Sequence, residues 1–369
     1  MTARIGAITA AVPAPVTQRD IWDGHFRQRY SDVRRAQLWH AAGVHTRHAV
    51  ADPCTEDVSN WSTERRMRRF ADEALPLATT AVRQALQRAA VDPGDVELLA
   101  VVSCTGYGTP GVDIDVAREL SLSESLQRVV IGHMGCYAAL PGLAAVRDAV
   151  VARGVTAVMV CVELPSLHVQ PDNGTDQVVA HALFGDAAAA VVVGPSGPGL
   201  EVVDIAARTD TSHHRDITWD VTDLGFRMGL SPRVPAVLAR HVRPMVDDLL
   251  ARHGLHVGDV RGWAIHPGGP RILDVCADRL GLDDRAMRAS RATLRDFGNC
   301  SSVTVLLVLA ALQRSECVAA GEHVVALAFG PGLTLYAALL RAEDGAPGLS
   351  TRSNGLAAGG AGARRGIER

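Results

Sequence analysis

A chain of 369 residues with 47% hydrophobic content has room for two domains, or for one large α/β unit around a sizeable core. Its formal net charge of −3 gives no electrostatic case for nucleic acid or an acidic membrane surface as a partner. No lysine occurs, and with so much Ala, Gly and Val the all-arginine positive charge reads as coding bias, not as a functional device.

The opening MTARIGAITAAVPAP lacks a basic stretch followed by a sustained apolar core and predicts no signal peptide. Residues 1 to about 85 read as additional helices and connections, with WSTERRMRRFADEALPLATTAVRQALQRAA at 61–90 a long amphipathic helix. DVELLAVVS at 95–103 is an acidic turn and a buried strand; a loop with Gly106, Gly108, Pro110 and Gly111 precedes a helix, VDIDVARELSL. RVVIG, GHMGCYAALPGL at 132–143 and AAVRDAVVARG continue into another helix, followed by the strands TAVMVCVE and GDAAAAVVVG.

From residue 259 the order repeats. DVRGWAIH is a turn and strand, GGPRILDVCADRLGL a helix, RDFGNCSSVTVLLVLAALQ a glycine-led helix, and EHVVALAF and GPGLTLYAALL are strands. Aligning the two DV pairs brings Gly135-Cys136 within one position of Gly298-Asn299. Strand–helix alternation is common in α/β proteins, but shared order, spacing and glycine favour a duplicated α/β half. The expected division is 1–200 for the half with Cys136 and 201–342 for the half with His266 and Asn299. The Gly/Ala/Ser/Arg-rich 343–369 is expected to be a disordered tail.

Seven scattered cysteines show neither zinc-ligand spacing nor a disulfide framework, which predicts no metal site and a reducing cytoplasm. The apolar run VTVLLVLAAL at 303–312 is too short to span a bilayer, so no membrane association is expected.

Cys136 stands at a helix start, where unpaired N–H groups and the macrodipole favour a thiolate, and Pro141 is early enough in the helix to be tolerated. His266 ends the strand GWAIH before PGGP, the place where α/β proteins commonly keep catalytic groups. If the halves pack about a pseudo-twofold axis, Cys136 and Asn299 face one cavity with His266 between. Each alone has a structural reading: a buried small hydrophobe, a strand-end histidine, a helix N-cap. At symmetry-related places the catalytic reading is the stronger. Cys161 and Cys276 read as core; Cys104 and Cys300 adjoin the site.

The GxxGC run at 132–136, ALFGDAAAAVVVG at 182–194, WAIHPGGPRILD at 263–274, GNCSS at 298–302 and FGPGLT at 329–334 together resemble the type III polyketide synthases, the chalcone-synthase-like family. The match runs over about residues 5–342. The resemblance implies a thiolase-like αβαβα sandwich of two βαβαβ-type halves, working as a homodimer. It makes Cys136 the acyl-carrying nucleophile, His266 its imidazolium partner and Asn299 a second hydrogen-bond donor to the enolate formed when malonyl-CoA loses CO₂. Coenzyme A thioesters are then substrates, and no metal or organic cofactor is needed. Of the family's two gatekeeping phenylalanines one is Phe184; G-x-x-F spacing puts Met228 at the other, with neighbouring Phe226 as the alternative. Thr109 replaces a methionine, His168 replaces a small hydroxyl residue, and Cys104 is similar to the cavity cysteine of some bacterial members. Ser301, Gly330 and Pro331 belong to the same cavity motifs. Coenzyme A is implied to enter past Gly268, Gly269 and Arg271; Arg34 and Arg35 are either diphosphate contacts or a solvated charged face.

The resemblance and the residues leave two rivals: a ketoacyl-carrier-protein synthase III, which uses the same three residue types, and a catalytically silent partner subunit. An aromatic content of 4% and Met228 in place of a ring point to an aliphatic starter and a pyrone or resorcinol-type product.

Overall fold

The computed structural model describes residues 1–30, 32–172, 174–315 and 318–343. Cys317 and all of the expected tail beyond Glu343 lie outside the described residues.

Nine strands form the central sheets. In spatial order they are Val260–Ile265, His323–Gly330, Thr334–Ala342, Leu200–Thr209, Arg4–Ala11, Ala187–Gly194, Ala157–Glu163, Leu98–Ser103 and Gln127–Gly132. The middle is a short antiparallel contact, Arg4 opposite Glu201 and Ile5 opposite Leu200. Outward from it both wings run alike. An antiparallel strand comes first (187–194 or 334–342), then another (157–163 or 323–330), then a parallel one (98–103 or 260–265). The duplication read from the sequence is therefore a physical pseudo-symmetry. It has one exception: the first wing carries an extra edge strand, Gln127–Gly132, and at the corresponding point of the second half the chain forms a helix, Asp284–Phe297.

Side-chain alternation builds five layers from these strands. On Ala157–Glu163, Ala157, Met159 and Cys161 face a central layer, while Val158, Val160 and Val162 face outward. On the mirrored strand, Val324, Ala326 and Ala328 face the same central layer, and Val325, Leu327 and Phe329 face outward. Two helices, Ala139–Arg153 and Val303–Arg314, fill that layer between the sheets. Val303–Arg314 has no polar side of any width: Val303 to Ala310 are all buried, as a helix between two sheets requires. The outer layer of the first half is the helix Thr63–Ala89, capped by Ser62 and burying Phe70, Ala74, Ala78, Ala81 and Ala85 along one stripe. Val234–Ala251, Pro270–Leu280 and Asp284–Phe297 cover the second half. Among the described residues no helix is long and apolar enough to cross a membrane.

Candidate active site

Each central helix is preceded by a turn that only glycine allows. Gly135 has φ 81°, and a Cβ there would lie 2.7 Å from Cδ of Pro331. Gly298 has φ 71°, and a Cβ there would lie 2.5 Å from the Leu183 carbonyl oxygen. The residues that follow, Cys136 and Asn299, are thereby delivered to the same place from the two halves, with Sγ of Cys136 4.0 Å from Oδ1 of Asn299. The backbone N–H of Ser301 donates to that Oδ1 at 2.9 Å, and the Thr304 hydroxyl approaches it at 3.4 Å. This fixes the amide's orientation and leaves its NH₂ as the free donor. Backbone bonds finish the placement: Asn299 N–H donates to the Leu183 carbonyl (2.8 Å) and Gly185 N–H to the Asn299 carbonyl (3.1 Å).

His266 follows the last residue of the strand Val260–Ile265, its N–H donating to the Leu327 carbonyl at 2.8 Å. Its ring stands edge-on to Phe329, centroids 5.6 Å apart, beside Gly268. The residue is 1% exposed, yet neither ring nitrogen has a hydrogen-bond partner among the described residues. Such a group costs about 1–3 kcal/mol of desolvation and calls for a functional account.

Burial pushes the Cys136 thiol up to about 11, against opposing hydrogen bonds from Ser301 and Asn299, and the buried Glu163 carboxyl adds to the rise. Burial takes His266 down to about 3. Burial thus works against charge on each group taken singly, opposing the pull of the helix start on the thiol. Glu163 is itself held by the Thr105 hydroxyl (2.7 Å), the Ser302 hydroxyl (2.6 Å) and the Cys104 N–H (3.0 Å). Cys104 Sγ lies 3.2 Å from the Ser301 hydroxyl.

Cys136 opens onto a small cavity of about 30 Å³ lined also by Cys104, Phe184, Met228, Ser301 and Pro331. A second cavity of about 40 Å³ adjoins it, and Pro165, Phe184, Trp219 and Met228 line both. Trp219 is the residue that sequence reasoning missed. It lies on the hairpin of Ile217–Thr222 and Gly225–Leu230, directly opposite Met228, and its indole N–H donates to the Cys104 carbonyl at 2.8 Å. Alternation on either side of the DLG turn is the signal that pairs Trp219 with Met228. On the same hairpin Met228 lines both cavities, including the one at Cys136, whereas Phe226 stacks on His168 (4.5 Å, 8°) and lines only the second.

His168 is fixed on both sides, Nε2 to the Thr105 carbonyl (2.7 Å) and Nδ1 accepting the Phe226 N–H (3.0 Å), and it too lines the second cavity. Thr109 departs from the expected cavity set: it is exposed, and it lines neither space. Arg271, on the first turn of its helix, and Arg34 are exposed, while Arg35 pairs with Asp32 at 2.7 Å; none of the three lines either cavity. Gly330 packs against Tyr137 and the Cys136 N–H, and Gly269 precedes the helix beginning at Pro270. Cys161 and Cys276 are core, as expected, and Cys300 is buried with Sγ 3.5 Å from the Phe297 carbonyl.

Two wings with mirrored turns, one ending in a thiol and the other in an amide, define a condensing enzyme of the thiolase-like fold. Comparison with known proteins narrows this class. Residues 2–198 match the N-terminal domain model of chalcone and stilbene synthases and 207–343 the C-terminal one, so the chain belongs to that family, the type III polyketide synthases. It is 34% identical over 316 residues to "Alpha-pyrone synthesis polyketide synthase-like Pks18" of Mycobacterium tuberculosis, covering 82% of this chain and 80% of that protein. It is 34% identical over 315 residues to a 1,3,6,8-tetrahydroxynaphthalene synthase of Streptomyces peucetius, covering 83% and 82%. The crystal structure of 1,3,6,8-tetrahydroxynaphthalene synthase from Streptomyces coelicolor superposes with a TM-score of 0.87 at 29% identity, covering 92% of this chain and 99% of that one.

Proposed function

We propose that this chain loads an acyl group from an acyl-CoA onto Cys136, extends it with malonyl-CoA by decarboxylative Claisen condensation, and releases a cyclised pyrone or resorcinol-type product. The observation that carries the reading is the meeting of Cys136 and Asn299 at 4.0 Å, with the buried, unpartnered imidazole of His266 as the third group.

In the loading step the Cys136 thiol gives its proton to Nε2 of His266 as Sγ attacks the thioester carbonyl. The proton then leaves with the departing coenzyme A thiolate, and the imidazole returns to its neutral state. When malonyl-CoA follows, loss of CO₂ leaves an enolate whose charge rests on the thioester oxygen. The neutral His266 N–H and the Asn299 NH₂ are the donors for it, and removing one such donor costs about 10²–10³ in rate. The enolate carbon attacks the Cys136 thioester and expels Sγ as thiolate, which recovers its proton from solvent. Phe184 and Met228 close over the reacting carboxylate and exclude water. Exposed Arg271 beside Gly268 and Gly269, together with Arg34, would meet the diphosphate at the rim.

The starter in this reading is aliphatic and short. Trp219 and Phe184, with Met228, stand between the two cavities, where they limit length. A cyclic product accords with the pyrone named for the mycobacterial relative. The working unit is a homodimer: Gln127–Gly132 is an unpaired sheet edge whose Val130 is 58% exposed, a place for a second copy. The six described cysteines are unpaired, which suits a reducing compartment.

Purified protein incubated with free malonyl-CoA and a panel of acyl-CoA thioesters tests the reading, with product masses as the readout. Product made without a carrier protein supports it; a strict need for carrier-bound extender would replace it with a ketoacyl synthase III activity.

A further inference from the structure

Asn299 and Phe184 are held by one short segment, residues 181–186, and that segment is gripped from behind by a single side chain. Arg47 is 6% exposed and lies on a strand, Thr46–His48, far from Cys136 in sequence. Its guanidinium donates through Nη1 to the carbonyls of His181 and Phe184, both at 2.7 Å. Through Nη2 it donates to the Ala182 carbonyl at 2.9 Å and to Oε1 of Gln18. Three of these acceptors end the helix Thr175–Leu183, where unpaired carbonyls and the dipole favour a cation.

Arg47 makes no ion pair among the described residues. Asp186, the nearby acid, is occupied by the N–H groups of Val50 and Ser166, each at 2.8 Å. A buried guanidinium without a carboxylate, and with Nε left unpartnered, is a costly way to fill space when an apolar residue would serve stability as well. What it supplies is geometry. The 183–185 stretch it holds pairs directly with Asn299, and the fit leaves no slack. A Cβ on Gly185 would fall 2.5 Å from the Phe297 carbonyl and 3.2 Å from Cβ of Arg47.

We propose that Arg47 is a positioning residue for the condensing step: by clamping the carbonyls of 181–184 it sets the depth of Phe184 and, through the Leu183–Asn299 pairing, the aim of the Asn299 amide. The inference rests on the reading of Asn299 as an enolate donor. It separates two half-reactions, because loading of Cys136 needs Arg47 far less than decarboxylation does.

The test uses the full chain with Arg47→Gln and Arg47→Lys. Wild-type malonyl-CoA decarboxylation is measured first; its absence would remove the reading of Asn299 and this inference with it. Given wild-type turnover, Arg47→Gln is expected to keep single-turnover acylation of Cys136, read by mass, within about threefold. Its decarboxylation kcat is expected to fall about 10²-fold with a smaller change in KM, the scale of a displacement of about 1 Å at a reacting group. Arg47→Lys recovers part of the loss. In an Asn299→Ala background Arg47→Gln costs less than about threefold further, since the two act as one unit. Gln18→Leu, a buried change that removes the bond to Arg47 and the one to the Ala182 carbonyl, loosens the clamp from its far side while keeping the guanidinium. It is expected to lower decarboxylation about fivefold and to spare acylation, and it decides the matter if Arg47→Gln does not fold. Equal loss of both half-reactions, or a fully additive loss in the Asn299→Ala background, would overturn the proposal.

Discussion

Trp219→Gly removes the residue that most nearly divides the space in front of Cys136. The indole lies between a cavity of about 30 Å³, where Cys136 opens, and one of about 40 Å³ lined by Ile21, Phe26, Ala180 and Phe226 among others. Joining the two more than doubles the room available to an acyl chain, and the added walls are mainly apolar. A methylene gained or lost in such a pocket is worth about 1–3 kcal/mol in kcat/KM. The expected result is a rise of at least about tenfold in kcat/KM for a twelve-carbon acyl-CoA relative to a four-carbon one, or about 1.4 kcal/mol. The variant also loses the bond to the Cys104 carbonyl, at about 1 kcal/mol, so Trp219→Phe serves as the comparison that keeps most of the wall without the bond. The assay is initial rates over an acyl-CoA series, with product masses and a thermal melt for each variant. A folded Trp219→Gly protein with the wild-type chain-length profile would refute the idea that Trp219 limits starter length.

Other outcomes follow from the same geometry. Cys136→Ala is expected to lose chain extension and keep measurable malonyl-CoA decarboxylation, because His266 and Asn299 remain; equal loss of both in folded protein would contradict the division of roles. Gly298→Ala places a Cβ 2.5 Å from the Leu183 carbonyl and is expected to cost about 1–3 kcal/mol in denaturant unfolding as well as activity. Gly281→Ala, at φ 68° with nothing within 4 Å, is expected to lose stability and leave turnover intact. Acid should destabilise the fold between about pH 6 and 4.5. His168, His181 and His266 are each lowered to about 3, so unfolding takes up three protons and each costs about 1.4 kcal/mol per pH unit. Asp186, raised to about 6, binds a proton in the folded state over the lower part of this range, and Glu163, also raised, acts in the same direction. The net slope is therefore smaller than the value of about 4 kcal/mol per pH unit for the three histidines alone. Urea unfolding at several pH values reads this slope directly, and a flat profile would contradict it. Light scattering of the eluting protein should give twice the chain mass, and an arginine at Val130 should halve it.

The sequence made the scaffold readable because its signals were local. Buried strands such as TAVMVCVE and the glycines before Cys136 and Asn299 are set by backbone and burial demands that act within a few residues. The meeting of thiol and amide followed from the repeat. Two things stayed hidden because they depend on the third dimension. Trp219 reaches the cavity only through the pairing of a hairpin that the duplication does not include, and the titration of Cys136 and His266 is decided by how much water the folded chain removes. A helix start favours a thiolate, whereas burial raises the thiol, and the balance is set by the folded surroundings. Arg47 was silent for a related reason: its partners are backbone carbonyls, which leave no trace in residue types.

The helix Val303–Arg314, buried all round from Val303 to Ala310, has a consequence for the chain's modular history. Neither wing can cover such a rod by itself, so a lone half, cut in the connection between Gly194 and Leu200, would expose a greasy surface and clump unless a second half were present. Interdependence of this kind ties solubility to the joining of the copies, and it leaves the two turns at the seam free to diverge, one toward sulfur and one toward amide.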